Sequence, residues 1–289
     1  MKRMTYIFCF ILVFVWLVGT ILQTTQDYTH ERTLWWIQHD FQKISHPTSP
    51  ENENVVNKII ERYQLFIRKN PKSNLAPKAQ LMIANTLRQQ NKYQQAREIF
   101  EEIVSNYRYN AEVTAQAEFG IGQTYENEDN WPKAVTVYRA IIRDYPITVT
   151  GFSIPLYLGT FYQVRGLNST AVNAYAEATE FYQNIATSYP ESPLGLSALK
   201  MAIKSQLAIG QWMGAYYTAK EALLEYPLAS SISETVQSIF DICVKNMNNP
   251  RLAINAYREF LEKNPGHPMR NQFFEIIQEL QRQSQFNEK

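Results

Sequence analysis

Few residues in this sequence have the types and spacings that chemistry requires. His30, His39 and His46 stand too far apart to share adjacent turns of one helix face, and His267 sits between Gly266 and Pro268 in a loop. A bound transition metal needs converging ligands, often a histidine pair one helical turn apart, and no such pair occurs. Cys9 lies inside an apolar run and Cys243 stands alone in the body. Neither has metal-ligand spacing, and Cys243 reads as a small buried hydrophobe. Glu126, Glu128 and Asp129 cluster at a helix end, which suggests a cation site but fits a solvated turn better. There is no nucleophile elbow and no glycine-rich phosphate loop. The residues therefore predict no catalytic site, no metal and no cofactor.

The elements that hold these residues are helical. The chain has 289 residues, 45% hydrophobic and 19% charged, with only 10 Gly but 18 Tyr, a composition that suits helices packed on helices. Beyond Pro47 basic and acidic residues balance, and no basic stripe interleaved with aromatics appears, which argues against a nucleic-acid partner.

Met1-Lys2-Arg3 precedes Thr5 to Leu22, a stretch without a charge. As a helix it would span about 27 Å, close to a hydrocarbon thickness of about 30 Å. The run is longer than a cleaved signal's apolar core and Val18-Gly19-Thr20 is a poor cleavage site. The expectation is an uncleaved anchor over residues 1–26, with a cleaved, secreted form as the alternative. Lys2 and Arg3 before the span then place the body outside the cytoplasm, which in a Gram-negative bacterium means a single-pass inner-membrane protein facing the periplasm. Residues 27–54 read as an amphipathic helix and linker. Leu34, Ile37, Phe41 and Ile44 recur at helical spacing beside Trp35 and Trp36, so the helix either lies on a membrane surface or opens the array that follows.

That array is a repeat. Short phrases recur at Lys69-Asn70-Pro71, Asn106-Tyr107-Arg108, Asp144-Tyr145-Pro146, Ser188-Tyr189-Pro190, Glu225-Tyr226-Pro227 and Lys263-Asn264-Pro265, at intervals of 37, 38, 44, 37 and 38. Proline closes a helix because its ring clashes with the preceding turn. Ala96, Ala134, Ala178, Ala215 and Ala253 precede these closures by twelve residues, and Phe100, Tyr138, Tyr182 and Tyr257 follow four residues later. A small residue lets two helices approach, and an aromatic one turn on fills the space beside the contact. The long interval carries its pattern twice, as Ala171 with Tyr175 and Ala178 with Tyr182, which predicts a second helix two turns longer over 169–188. Asn168 reads as its N-cap.

With Ile121-Gly122, Tyr125, Ala134, Tyr138 and Pro146 in one copy and five copies in phase, the sequence resembles the tetratricopeptide repeat family, most closely its bacterial envelope members. The resemblance covers Val55 to Pro265. It departs from the family at Ala219, where an aromatic is expected, and at Asp241, where a small residue is. It implies an all-α chain: a tetratricopeptide-type α-solenoid of helical hairpins over 55–268, preceded by one N-terminal transmembrane helix and closed by a capping helix and tail over 269–289.

The resemblance also implies a non-catalytic scaffold whose first helices line a concave groove for other proteins or peptide segments. Transferred groove positions are Lys78, Asn85 and Arg88, then Gln123, Glu126 and Asn127, then Thr160 and Gln163, then Lys200 and Lys204, and last Lys245 and Asn246. Carboxamides can pair with an extended backbone and lysines with carboxylates. The fullest expectation is a membrane-anchored adaptor in cell-envelope assembly, held to the bilayer by residues 5–22. The alternatives are a translocon accessory protein with chaperone-like client binding, and an accessory domain of an enzyme complex. Oligomeric state is not indicated.

Overall fold

The computed structural model describes residues 28–286, and every regular element among them is a helix. Helix α1 covers 28–42. It is followed by α2 (Pro50–Lys69), α3 (Ala76–Gln89), α4 (Tyr93–Asn106), α5 (Ala111–Asn127), α6 (Trp131–Asp144) and α7 (Val149–Val164). Then come α8 (Asn168–Ser188), α9 (Pro193–Ala208), α10 (Trp212–Glu225), α11 (Ile232–Phe240), α12 (Pro250–Lys263) and α13 (Arg270–Phe286). The chain divides into two compact units, one ending at Phe152 and the other beginning at Ser153.

Local chemistry sets the helix ends. Asn70, Tyr145, Tyr189 and Asn264 are C-cap residues directly before a proline, so the recurring phrases are helix stops. Starts use side-chain caps at Asn110, Asn130 and Ser192, which accept amides of the first turn, and prolines at Pro50, Pro132, Pro193 and Pro250. The hairpin turns share a feature that the sequence phrases did not mark. Asn91, Asp129, Gly166, Gly210 and Asn248 take positive φ of 62°, 57°, 71°, 72° and 49°. A left-handed residue satisfies the last carbonyls of the first helix and reverses the chain. Gly210→Ala should therefore cost about 1 kcal/mol, whereas Asp129→Gly should be neutral or stabilising. Urea midpoints of the two variants test this, and an unchanged midpoint for Gly210→Ala contradicts it.

In the first unit Leu34 and Ile37 of α1 are buried with Ile59, Tyr63 and Phe66 of α2, with α3, and with Phe100 and Ile103 of α4. The apolar stripe of α1 is thus covered by protein, which makes α1 the opening helix of the array. Trp35 and Trp36 stay 54% and 45% exposed. In the second unit α10 to α13 share a core in which Phe273, Ile277 and Leu280 of α13 pack with Tyr257 and Phe260 of α12.

Helix α8 is the long helix that the doubled pattern predicts, at 21 residues. Tyr175 and Tyr182 are both buried. The Tyr175 hydroxyl donates to Gln163 Oε1 at 2.7 Å and lies 3.2 Å from Thr160 Oγ1. The N-cap expectation is corrected: Leu167 holds that position, and Asn168 is already helical with no side-chain cap bond. Another departure follows Asp241, the residue where the repeat pattern expects a small side chain. Residues Asp241–Asn246 form a π-helical turn.

The localisation expectation also needs correction. Among the described residues no helix is long and apolar enough to cross a membrane. The expected anchor, with its bilayer contact through residues 5–22, lies outside the described residues, so a single-pass inner-membrane placement has no support.

Candidate functional site

The first helices of the hairpins carry the expected groove positions, and tight packing behind them fixes where those positions point. Gly120 and Gly122 lie two residues apart on α5, so they point to different neighbours. A Cβ at Gly120 would strike the Phe100 ring, and one at Gly122 the Tyr138 ring. Glycine here lets α5 settle on α4 and α6 with both aromatics fully buried.

This arrangement leaves a cleft of about 440 Å³ between α3 and α5. Lys78 and Asn85 of α3 and Gln123 of α5 line it together, over an apolar floor that includes Leu75, Met82, Val113 and Phe119. Arg88 and Asn127 join the same two helices near their C-terminal ends. Arg88 Nη1 donates to Asn127 Oδ1 at 3.0 Å and Nη2 lies 3.5 Å from Asn85 Oδ1. Asn85 in turn donates to the Leu81 carbonyl at 3.0 Å, which fixes its amide orientation. Lys78 is exposed and has no partner among the described residues.

The other expected positions are engaged differently. Glu126 accepts the Tyr138 hydroxyl at 2.9 Å, and Gln163 accepts that of Tyr175 at 2.7 Å. In both hairpins the second-helix tyrosine reaches back twelve residues to tie the end of the first helix. In the second unit Lys200 meets Glu234 at 2.7 Å. This hydrogen bond, with further attraction from Lys200 and Lys204, holds the Glu234 carboxyl below its ordinary range. Lys245 pairs with Asp241 at 2.7 Å, and Asp241 also accepts from Gln237 at 2.8 Å. Asn246 is exposed on the π turn. The lysines Lys200 and Lys245 are therefore neutralised by their own chain, unlike Lys78.

The acidic cluster resolves into separate structural contacts. Glu128 clamps Arg97 through two hydrogen bonds of 2.7 and 3.0 Å, while Glu126 serves Tyr138. No group of three His, Cys, Asp or Glu residues able to hold a metal occurs among the described residues. His267 uses both ring nitrogens: Nε2 lies 2.8 Å from the Pro227 carbonyl, and Nδ1 accepts the Met269 amide at 3.2 Å. Cys243 is buried, and burial pushes its thiol up to about 12. Because the folded state favours the protonated thiol, its stabilising effect is intact below about pH 8.5 and declines at higher pH. In a Cys9→Ser background, Cys243 should react with a disulfide reagent at pH 8 about a thousandfold more slowly in buffer than in urea, since only the thiolate attacks. Equal rates would contradict the burial.

Residues that the repeat register did not indicate extend the site. A second cleft of about 540 Å³ lies between α1 and α3, lined by Tyr28, Arg32, Trp35 and Trp36 together with Leu75, Lys78 and Met82. The last three belong to both clefts. The signal for this second cleft was the amphipathic stripe of α1, once it is read as the first helix of the array.

The sequence model of the tetratricopeptide repeat family matches residues 81–146, which hold most of α3 and all of α4, α5 and α6. Among solved structures, the chain is similar to a tetratricopeptide repeat protein from Parabacteroides merdae. The identity is 11% and the TM-score 0.35, over 87% of this chain and 99% of that one. No curated protein sequence matches the chain.

Proposed function

We propose that this chain, a member of the tetratricopeptide repeat family, is a non-catalytic interaction scaffold that holds an extended segment of a partner protein on the first-helix face of its N-terminal unit. Lys78, Asn85 and Gln123 around one cleft carry the reading. They supply a cation and two carboxamides over an apolar floor, the chemistry that recognises a peptide backbone and its carboxylates. The lysines of the second unit are less suited, since Lys200 and Lys245 already hold carboxylates of their own chain.

Envelope assembly and translocon accessory work were expected from the N-terminal span and from the likeness of the repeats to envelope members of the family, and nothing among the described residues supports either. Co-purification from the native cell tests the scaffold reading. The combined variant Lys78→Glu, Asn85→Ala, Gln123→Ala should lose a discrete partner that Lys200→Glu retains. These side chains are exposed or half-buried, so folding should be preserved and checkable by circular dichroism. An unchanged set of co-purifying proteins contradicts the proposal. Weak, broad binding to unfolded clients that ignores all these substitutions favours a chaperone-like role instead.

A further inference from the structure

We infer that the docking surface continues past the repeats onto α1, where the cleft beside Trp35 and Trp36 seats a large apolar side chain of a linear acidic segment whose carboxylate pairs with Lys78. This rests on the groove reading above and names the class of partner it takes.

The two clefts adjoin, because Leu75 at the N-cap of α3 and Lys78 and Met82 within it line both. On the α1 side the lining is aromatic and unusually open to solvent. Tyr28 is 65% exposed, Trp35 54% and Trp36 45%. Scattered exposed hydrophobes are ordinary on a protein surface, but three large aromatics around one concavity are the composition of an interface anchor. The volume of about 540 Å³ falls within the range of roughly 300–1,000 Å³ typical of ligand pockets.

Packing makes the platform rigid before anything binds. Leu34, which also lines the cleft, and Ile37 fix α1 in the core at 5% and 2% exposed. Arg62 of α2 also ties Asp40 at 2.7 Å. The Trp35 ring stacks on His39 with centroids 4.9 Å apart and meets Trp36 edge-on at 4.8 Å. Anchors held in this way lose little conformational entropy on binding.

Charge selects the rest of the segment. Lys78 stands between the aromatic cleft and the carboxamides Asn85 and Gln123, and Arg32 adds a second cation on the α1 side. Neither Lys78 nor Arg32 has an acidic partner among the described residues, and the single carboxylate of the lining is Glu31. A segment entering the aromatic cleft and running toward α5 passes Lys78 midway, where an Asp or Glu side chain gains a charge-assisted contact. A lysine there would be repelled.

Four fluorescein-labelled synthetic peptides of equal length test the inference against the full chain by polarisation. They are extended, Ala- and Gly-spaced, and combine Phe or Ala at the anchor with Glu or Lys four residues on. The Phe–Glu peptide should bind most tightly, by at least about tenfold over Ala–Lys. Trp35→Ala with Trp36→Ala should remove the Phe advantage and leave the Glu advantage, while Lys78→Glu should invert the preference between Glu and Lys. Loss of the Glu preference in Lys78→Glu with no effect of the tryptophan pair overturns the extension and leaves the groove reading standing. Four equal affinities that no variant changes overturn both. If sedimentation shows that the tryptophan substitutions dissociate a dimer while peptide affinities stay constant, the cleft belongs to a second copy and the proposal fails.

Discussion

Tyr138→Ala should destabilise the N-terminal unit by about 3–5 kcal/mol, the cost of emptying a fully packed aromatic site. Tyr138 is 0% exposed, its ring lies against Gly122, and its hydroxyl donates to Glu126 at 2.9 Å. Three losses add up: the ring's transfer from water, a cavity between α5 and α6, and the tie at the end of α5. The converse substitution, Gly122→Val, should cost about 1–3 kcal/mol by overpacking, since the ring it meets is held on both sides. Combining Gly122→Ala with Tyr138→Leu should cost less than the sum of the single changes, because the smaller side chain makes room for the new methyl. Because repeats contact mainly their neighbours, the loss should appear in urea as an earlier transition of α3 to α6. A change below 1 kcal/mol for Tyr138→Ala contradicts the packing account.

Tyr257→Phe isolates a different effect. The Tyr257 hydroxyl donates to the Val236 carbonyl at 2.8 Å. This buried bond ties α12 to α11 a few residues before the π turn that begins at Asp241. Removing the hydroxyl takes this partner from a buried carbonyl, at a cost of about 1–3 kcal/mol. Urea midpoints of the variant and the parent chain measure it, and an unchanged midpoint contradicts the tie.

These two tyrosines show which parts of the structure could be read from residues alone. The hairpin ends were legible because proline and its preceding cap leave a mark independent of context, and the length of α8 because the doubled Ala–Tyr pattern counts turns. Leu34 and Ile37 marked a buried stripe, but periodicity alone did not say what covered it. The left-handed turn residues were hidden, since Asn91, Asp129 and Asn248 resemble any polar loop residue. Around the candidate site, register transfer placed Lys78, Asn85 and Gln123 at one cleft. It could not foresee that Glu126 and Gln163 receive tyrosine hydroxyls, or that Glu234 and Asp241 would pair with Lys200 and Lys245. Those contacts depend on which side chains neighbouring helices present, information that lies outside a single repeat. The aromatic cleft was missed because α1 has no repeat register to transfer.

The central claim is that partners meet the first-helix face of the N-terminal unit, and site-specific photocrosslinking in intact cells tests it most directly. A photoreactive amino acid placed singly at Lys78, Gln123 or Trp36 should yield discrete adducts with a common partner. The same probe at Glu101, Arg139 or Arg143, exposed positions on second helices, should yield none. Adducts of equal strength from both sets, or from the second-helix positions alone, would contradict the account.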